Sequence, residues 1–371
     1  MSYFTPETQA ELTQWITEQV KSRHKIHWLN PLGSSNSPNL NLSGLKRIID
    51  YPYRDMTITI ETGMTVSELQ AELLKHNQWL PVNTPSPDKT TIAEVICNNW
   101  YGSFSAGYGT MRDWLLGITA IDGRGRTFHA GGRVVKNVAG YDLCKLLVGS
   151  DGTLAIPLEA TLQVKPQPQQ ILVHRFNAQT IDSLNKLWQN LRELPFNPVI
   201  FDVIHEASPS QTTNVADCLS LVFAVEGSEE TINSLTKLIK ETASQIDDTT
   251  LINIEPWIPS QDPWNFIEGL PQPSTVLRLG CLASQTIDVL NIASKHHFSG
   301  FGHASRGAVI LRSLADTEDS STQQSKLLDE LAHLTVNSQC LSSSEADKEA
   351  AKPLQEKLRL EFDPHQLFAS N

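Results

Sequence analysis

The 371-residue sequence predicts an α+β fold in two domains, on three observations. A chain of this length exceeds what a single typical core absorbs, so it calls for two cores or a core with a lobe. The stretch MTITIETG alternates with period two and runs directly into the helical spacing of VSELQAELLKHN. Pro and Gln in KPQPQQ, residues 165–170, break both periods, and beyond them strands and helices alternate. The boundaries read from this pattern are a first domain over residues 1–168 and a second over 169–371.

Composition narrows the function. The formal net charge is −12 and no basic cluster overrides it, so nucleic acid phosphates are disfavoured partners. The five cysteines are scattered, with no CxxC and no close Cys/His group, so the reading contains no metal site. They are expected as small buried hydrophobes. The opening segment MSYFTPETQAELTQWITEQVK is a polar amphipathic helix and not a signal peptide. No run approaches the ~18 apolar residues that span a bilayer. The expectation is a cytoplasmic protein with no membrane span of its own, peripheral to a membrane only through partners.

The elements follow in order. A helix is expected over residues 5–21, with Leu12, Trp15, Ile16 and Val20 at helical spacing. Short strands and turns come next: KIHWLN, LKRIIDYP and the alternating MTITIETG. Thr65 is placed to cap the helix that follows. WLPVNTPSPDKTT leads to a helix around IAEVICNNW, then to the glycine- and aromatic-rich YGSFSAGYGTMRD. LLGITAID and TFHAGGRVV form a hairpin about GRGR, and EATLQVKPQPQ closes the domain. In the second domain ILVHRF, VIFDVI, LSLVFAVEG, VLRLGCL and AVILRSL read as strands between helices, a mixed antiparallel sheet of ferredoxin-like type. KPLQEKLRLEFDP is a last helix, stopped at Asp363-Pro364.

The glycines raise the question of a cofactor. No stretch fits a Walker loop, and GYGTMR and GFGHAS both lack the third glycine of a dinucleotide fingerprint. Instead, glycine- or serine-rich turns recur at 33–37, 84–91, 102–109 and 149–152, each beside a strand. Several such turns at one end of a sheet can hold a diphosphate with backbone N–H groups. In VKNVAGYDLCKLLVGSDGTLAI, Gly140, Gly149 and Gly152 each cost backbone entropy, which suggests that something passes close to this backbone.

With these segments in order, the sequence resembles the flavoproteins with an FAD-binding domain of the vanillyl-alcohol oxidase type, also called PCMH-type. The resemblance covers residues ~20–168 through TITIETGMTVSELQAELLKHNQWLPV, YGTMRDWLLGITAIDGRGRTFHAGG and KNVAGYDLCKLLVGSDGTLAIPLEATLQVKP. KNVAGYDL, RDWLLG and the terminal EFDP are similar to the E subunits of glycolate oxidases and dehydrogenases. The resemblance implies a two-subdomain FAD-binding domain followed by a smaller ferredoxin-like α+β cap domain. It places Gly33, Ser34, Ser35, Asn36 and Ser37 around the diphosphate, with Pro85, Ser86, Thr91 and Ile92 along a second loop. Tyr108, Gly109 and Asp113 lie farther on, and Gly152, Leu154 and Ile156 lie against the ribityl chain and ring. Lys136, with Tyr141 nearby, either holds negative charge on the reduced flavin or is a surface lysine. Asp142 and Asp151 are expected to cap turns or helix starts.

The chain also departs from that family. Ala93-Glu94 stands where relatives usually carry Gly-Gly, and Ala155 where many carry Gly. Each adds a side chain beside the expected flavin, and Glu94 adds a negative charge, so weaker FAD binding is expected. The first loop has no histidine and Cys97 falls within a helix, so FAD is expected to be non-covalent. The His-x-His metal pair of active relatives is reduced to His303, with Ser305 where the second would stand. No catalytic residue is assigned; His303, Arg306 and Arg278 are the candidates.

Three readings follow. The first is an accessory or electron-transferring FAD-binding subunit of a glycolate (D-2-hydroxy acid) oxidase or dehydrogenase complex. Its partners, implied by the resemblance, are a sister FAD-binding catalytic subunit and an Fe–S subunit, with a small hydroxy acid as the substrate of the complex. The second is a self-sufficient FAD-dependent 2-hydroxy-acid dehydrogenase with His303 as base and Arg278 or Arg306 on the carboxylate. The third is a structural subunit that has lost FAD.

Overall fold

The computed structural model describes residues 4–29, 39–132, 142–205, 219–257, 275–313, 320–340 and 352–368. The chain divides into two compact units, one of residues 1–101, 109–167 and 347–371, the other of 102–108 and 168–346.

The first unit opens with α1 (Gln9–Ser22), capped by Thr8, whose hydroxyl accepts from Glu11 N–H at 3.2 Å. The strands β1 (Ile48–Asp50) and β2 (Thr57–Glu61) follow, then α2 (Val66–Leu74) and the short β3 (Gln78–Trp79). Thr65 and Glu68 close α2 with a reciprocal capping box, as the Thr-x-x-Glu spacing demands. Next in the chain come α3 (Ile92–Asn98), the single turn α4 (Ser105–Tyr108), which groups with the second unit, the single turn α5 (Met111–Trp114), and the hairpin of β4 (Leu115–Asp122) with β5 (Thr127–Gly131). The first unit continues through α6 (Leu143–Leu147), β6 (Ala155–Gln163) and β7 (Lys165–Pro166). Its main sheet is antiparallel in the order β1-β2-β6-β4-β5. α1 buries Leu12 and Ile16 against Ile121, Ile156 and Leu158, in a core that also holds Trp28, Ala93 and Cys97.

The second unit is built on β8 (Ile171–Ala178), α7 (Ile181–Arg192), β9 (Ile200–His205), β10 (Leu219–Glu226), α8 (Glu229–Ala243) and β11 (Thr249–Pro256). It repeats the pattern in β12 (Val276–Cys281), α9 (Thr286–Lys295), β13 (Phe298–His303), β14 (Ala308–Ser313), α10 (Ser320–Leu331) and β15 (Thr335–Cys340). The strand order is β11-β8-β10-β9-β13-β14-β12-β15. Each half is a βαββαβ unit with the ferredoxin-like strand order, and the halves join through the antiparallel pair β9–β13. The smaller ferredoxin-like cap expected from the sequence is therefore a doubled one, carrying the largest sheet among the described residues.

Among the described residues, α7, α8, α9 and α10 each bury one apolar stripe on one face of this sheet. Leu184, Leu187, Trp188, Ile239, Val289, Leu290 and Leu327 pack against Phe176, Phe201, Val203, Phe223, Leu279 and Leu311. Strand alternation turns the intervening residues, among them Asp202, Phe301, His303 and Arg312, to the opposite face.

Two segments group differently from the linear division at residue 168. Residues 102–108 fold with the second unit. The last helix, α11 (Lys352–Phe362), and the turn after it fold with the first. Ile26 N–H donates to Leu367 O at 2.7 Å, and Phe368 is fully buried in the first core. The Asp363 carboxylate accepts the N–H groups of Leu367 and Phe368, both at 2.8 Å. The EFDP motif thus makes the turn that returns the chain to this core.

Candidate functional site

Of the residues expected around a flavin, Gly33, Ser34, Ser35, Asn36, Ser37 and Lys136 lie outside the described residues, as does Tyr141. The others fall in four places.

Thr91 and Ile92 form the start of α3. An exposed helix start would offer N–H groups to a phosphate, but here the chain uses them itself. Glu94 folds back so that its Oε2 accepts Thr91 N–H at 2.7 Å and the Thr91 hydroxyl at 3.0 Å. Glu94 N–H donates to that hydroxyl at 3.3 Å. Ile92 N–H donates to Met64 O and Ala93 N–H to Thr62 O, at 2.9 and 2.8 Å. The Glu94 charge is spent on capping its own helix, and Ala93 is a fully buried core residue. Backbone contacts from Thr91 and Ile92 to a diphosphate do not fit this geometry.

The loop before α3 does fit a polar ligand. Pro85 is buried, Ser86 adopts φ of +41°, and Lys89 and Thr90 N–H groups both return to Ser86 O. At the head of the loop the buried Thr84 hydroxyl has no hydrogen-bond partner among the described residues. A buried orphan hydroxyl costs free energy unless something supplies its partner.

Gly109 and Asp113 are tied to one another. At Gly109, with φ of +87°, a Cβ would sit 2.4 Å from the Asp113 carboxylate. That carboxylate accepts Thr110 N–H at 2.8 Å, capping the single turn of α5. Tyr108 belongs to the second unit, where its hydroxyl donates to the Glu226 carboxylate. Burial first, and then that carboxylate, hold the Tyr108 phenol protonated far above its usual range.

The glycines of the closing segment answer to the chain itself. Gly149 and Asp151 N–H groups donate to Ile96 O and Cys97 O at 3.0 and 2.9 Å, capping the C-terminal end of α3. This requires φ of +80°, +51° and +66° at Gly149, Asp151 and Gly152. At Gly152 a Cβ would meet Leu29 at 2.6 Å and the Trp28 ring at 2.7 Å, and Trp28 Nε1 donates to Gly152 O at 3.2 Å. The clearance expected for a flavin at Gly152 is filled by Trp28 and Leu29. Leu154, Ala155 and Ile156 are all buried, and Ile156 lies in the α1 core. Asp142 caps α6 by accepting Lys145 N–H at 3.1 Å. Burial pushes the Cys97 thiol up to about 12, so within α3 it is an inert thiol.

The three catalytic candidates all lie in the second unit. His303, at the end of β13, pairs in register with Asp202 on β9. Its Nδ1 lies 2.8 Å from Asp202 Oδ1, and both side chains are buried. The other oxygen, Asp202 Oδ2, has no hydrogen-bond partner among the described residues. Arg306 stands in the β13–β14 turn; its N–H donates to His303 O and its Nε to Ser105 O at 2.9 Å. Arg278 lies across from Ile310 on β12, on the same sheet face as His303 but two strands away. Asp202, the partner of His303, escaped the sequence reading because VIFDVI shows only an apolar strand with one acidic residue. Arg312, almost fully buried on that face, escaped it for the same reason.

Comparison with known proteins places these observations. The FAD binding domain family matches residues 4–131. Glycolate oxidase subunit GlcE of Escherichia coli (strain K12) is 31% identical over 157 residues, 42% of this chain and 45% of that one. Glycolate oxidase subunit GlcD of Bacillus subtilis (strain 168) is 30% identical over 125 residues, 34% of this chain and 27% of that one. Each match thus spans less than half of the relative. Alkyldihydroxyacetonephosphate synthase has the same fold, with a TM-score of 0.74 at 14% identity over 100% of this chain and 75% of that one. The cofactor these matches indicate is FAD. Among the described residues no helix is long and apolar enough to cross a membrane.

Proposed function

We propose that this chain, whose residues 4–131 belong to the FAD binding domain family, is an FAD-binding subunit of a complex that oxidises glycolate or a related D-2-hydroxy acid. Its role in that complex is accessory or electron-transferring. The observation that carries the reading is the similarity to GlcE, joined to a second unit in which His303 is paired to Asp202. That lone histidine, with Ser305 where a second would stand, does not make the chelating pair of an active dehydrogenase. The substrate-oxidising step then belongs to a sister flavoprotein subunit, with an Fe–S subunit as electron acceptor.

FAD, when bound, supplies a two-electron acceptor. The residues of this chain suited to hold it are Thr84, Pro85 and Ser86, whose loop is polar and carries an orphan hydroxyl. The loop of Gly33, Ser34, Ser35, Asn36 and Ser37, together with Lys136, completes the set by sequence. With no histidine in that first loop, and Cys97 buried and protonated within α3, the attachment is non-covalent.

The test is reduction of the flavin-loaded chain by glycolate under anaerobic conditions. The accessory reading expects no bleaching by the chain alone and bleaching once a GlcD-type catalytic subunit is added. Bleaching by the chain alone establishes the self-sufficient dehydrogenase in its place.

A further inference from the structure

The first unit carries an exposed apolar patch that the proposal above does not use, centred on the edge strand β1. Lys46, Arg47, Ile48 and Ile49 are four exposed residues in a row. A strand packed on one face hides every second side chain, so neither face of this segment is covered. β1 also ends its sheet: it pairs with β2 on one side and with no strand on the other among the described residues. Arg47 shows which way the backbone turns. Its N–H donates to Glu61 Oε2 and its O accepts Glu61 N–H, both at 2.9 Å, so both groups face β2. Ile48, the next residue, therefore directs its N–H and C=O to the outer edge. The patch continues past β1. The Tyr53 ring stacks on His76 at 4.3 Å, Tyr51 meets the same imidazole edge-on at 5.3 Å, and His76 lies just beyond Leu74 at the end of α2. Ile48, Ile49, Tyr53 and Leu74 are four of the eight large apolar side chains exposed among the described residues, so their gathering here marks an interaction surface.

We infer that the outer edge of β1 pairs antiparallel with the same edge of a second copy of this chain, joining two five-stranded sheets into one. Charge selects this occupant. The strand is cationic where it begins, at Lys46 and Arg47, and acidic where it ends, at Asp50. Antiparallel pairing about a twofold axis sets the cationic end of each copy beside Asp50 of the other, with the isoleucines between. Parallel pairing would set like charge beside like. With Ile48 opposite its counterpart at the axis, that pair exchanges two N–H···O bonds. The surroundings agree. Lys46 is bridged to Glu68 at 3.0 Å, Arg47 to Glu61 at 2.7 Å and Lys75 to Glu72 at 2.6 Å. The patch therefore presents no excess of positive charge to select an acidic polymer or an anionic lipid surface. In a chain of net charge −12 it is a place where two copies meet with little repulsion. The inference is independent of the cofactor and the reaction, since every residue it uses lies within 46–76.

Sedimentation velocity of the purified full-length chain, from about 1 to about 200 μM, tests this. A reversible dimer that dissociates in the micromolar range is expected, as for an edge contact of modest area. Ile48→Lys places a charge beside its own image across the axis and should weaken dimerisation about a hundredfold. Lys46→Glu should weaken it about tenfold, because two carboxylates then meet at each end. Lys46→Glu combined with Asp50→Lys exchanges the two ends and should restore dimerisation to within about threefold of the unaltered chain. Ile49→Lys, at an equally exposed position, serves in place of any variant that does not fold. A monomer throughout the range, undiminished dimerisation by folded Ile48→Lys, or no restoration by the folded double exchange overturns the inference. A monomeric chain that binds a GlcD-type subunit, and loses that binding in Ile48→Lys, also overturns it by giving the edge to a different partner.

Discussion

Glu61 in the first unit and Asp202 in the second are both buried carboxylates on central strands, and they are treated oppositely. Glu61 is saturated: Arg47 donates Nε and an Nη to Oε1 at 3.1 and 2.7 Å, and its own N–H to Oε2 at 2.9 Å. Gln9 adds a fourth donor. Asp363, buried in the same unit, holds two backbone N–H groups. Asp202 has His303 on one oxygen, and its other oxygen has no partner among the described residues. The first unit spends its conspicuous polar and glycine positions on holding itself together, at the start of α3, in the Gly149–Gly152 turn and in the Asp363 cap. The second leaves Asp202 Oδ2 open among the described residues, as the first does only away from these positions, for example at the Thr84 hydroxyl. Residues that resemble a binding motif can therefore be structural, while an unremarked strand carries the open chemistry.

That contrast can be broken from either side. The largest effect is expected at Gly152→Ala, which forces a side chain into the left-handed region and against Trp28. It should cost about 3 kcal/mol in denaturant unfolding of the full chain. A loss under about 1 kcal/mol would mean the turn is less closely packed.

Next is a pH effect at His174, the saturated counterpart of His303. Its Nδ1 faces Phe223 O and its Nε2 the Thr236 hydroxyl, at 3.3 and 3.0 Å. Burial, foremost, lowers its pKa to about 4. The unfolded chain binds this proton near pH 6.5 and the folded chain only near 4. Stability is therefore unaffected above pH 6.5, falls as pH drops from 6.5 towards 4, and falls no further from this group below that. The full loss is up to about 3 kcal/mol. His174→Gln should flatten that limb of the unfolding profile, and an unchanged limb would assign it elsewhere.

Asp363→Ala should cost about 2 kcal/mol, since two buried N–H groups lose a charged acceptor. Unfolding followed by two probes, one in each unit, should report that loss in the first unit. Smallest is the cap of α3. Replacing Ala93-Glu94 by Gly-Gly should cost about 1 kcal/mol and release the Thr91 N–H. FAD affinity is expected to rise in exchange, and a fluorescence titration showing no gain would mean that this helix start does not face the cofactor.

Local pattern made much of the fold legible. The alternation of MTITIETG marks β2, and Thr65 marks the start of α2, whereas Thr91, read as a cofactor contact, proves to cap α3. Asp142 reads as a cap and is one. The strand–helix alternation after residue 170 announces the ferredoxin-like sheet, although its doubling depends on β9 pairing with β13 nearly a hundred residues later, which no local signal encodes. For the site, long-range contact decided what the motifs meant. Gly152 looked like clearance for a ligand because the sequence cannot show Trp28 arriving beside it. YGSFSAGYG looked like a phosphate loop because nothing local says that residues 102–108 fold with the second unit. Asp202 gave no signal at all, since its significance comes from standing opposite His303 on another strand.

The central claim, that the first unit holds FAD non-covalently despite spending the start of α3 on its own cap, is most directly tested by the visible spectrum of the purified full-length protein before and after acid precipitation. The account predicts a flavin spectrum, as purified or after reconstitution with FAD, with all of the flavin released to the supernatant. A colourless protein that takes up no added FAD, or a flavin that stays with the precipitate, would contradict it.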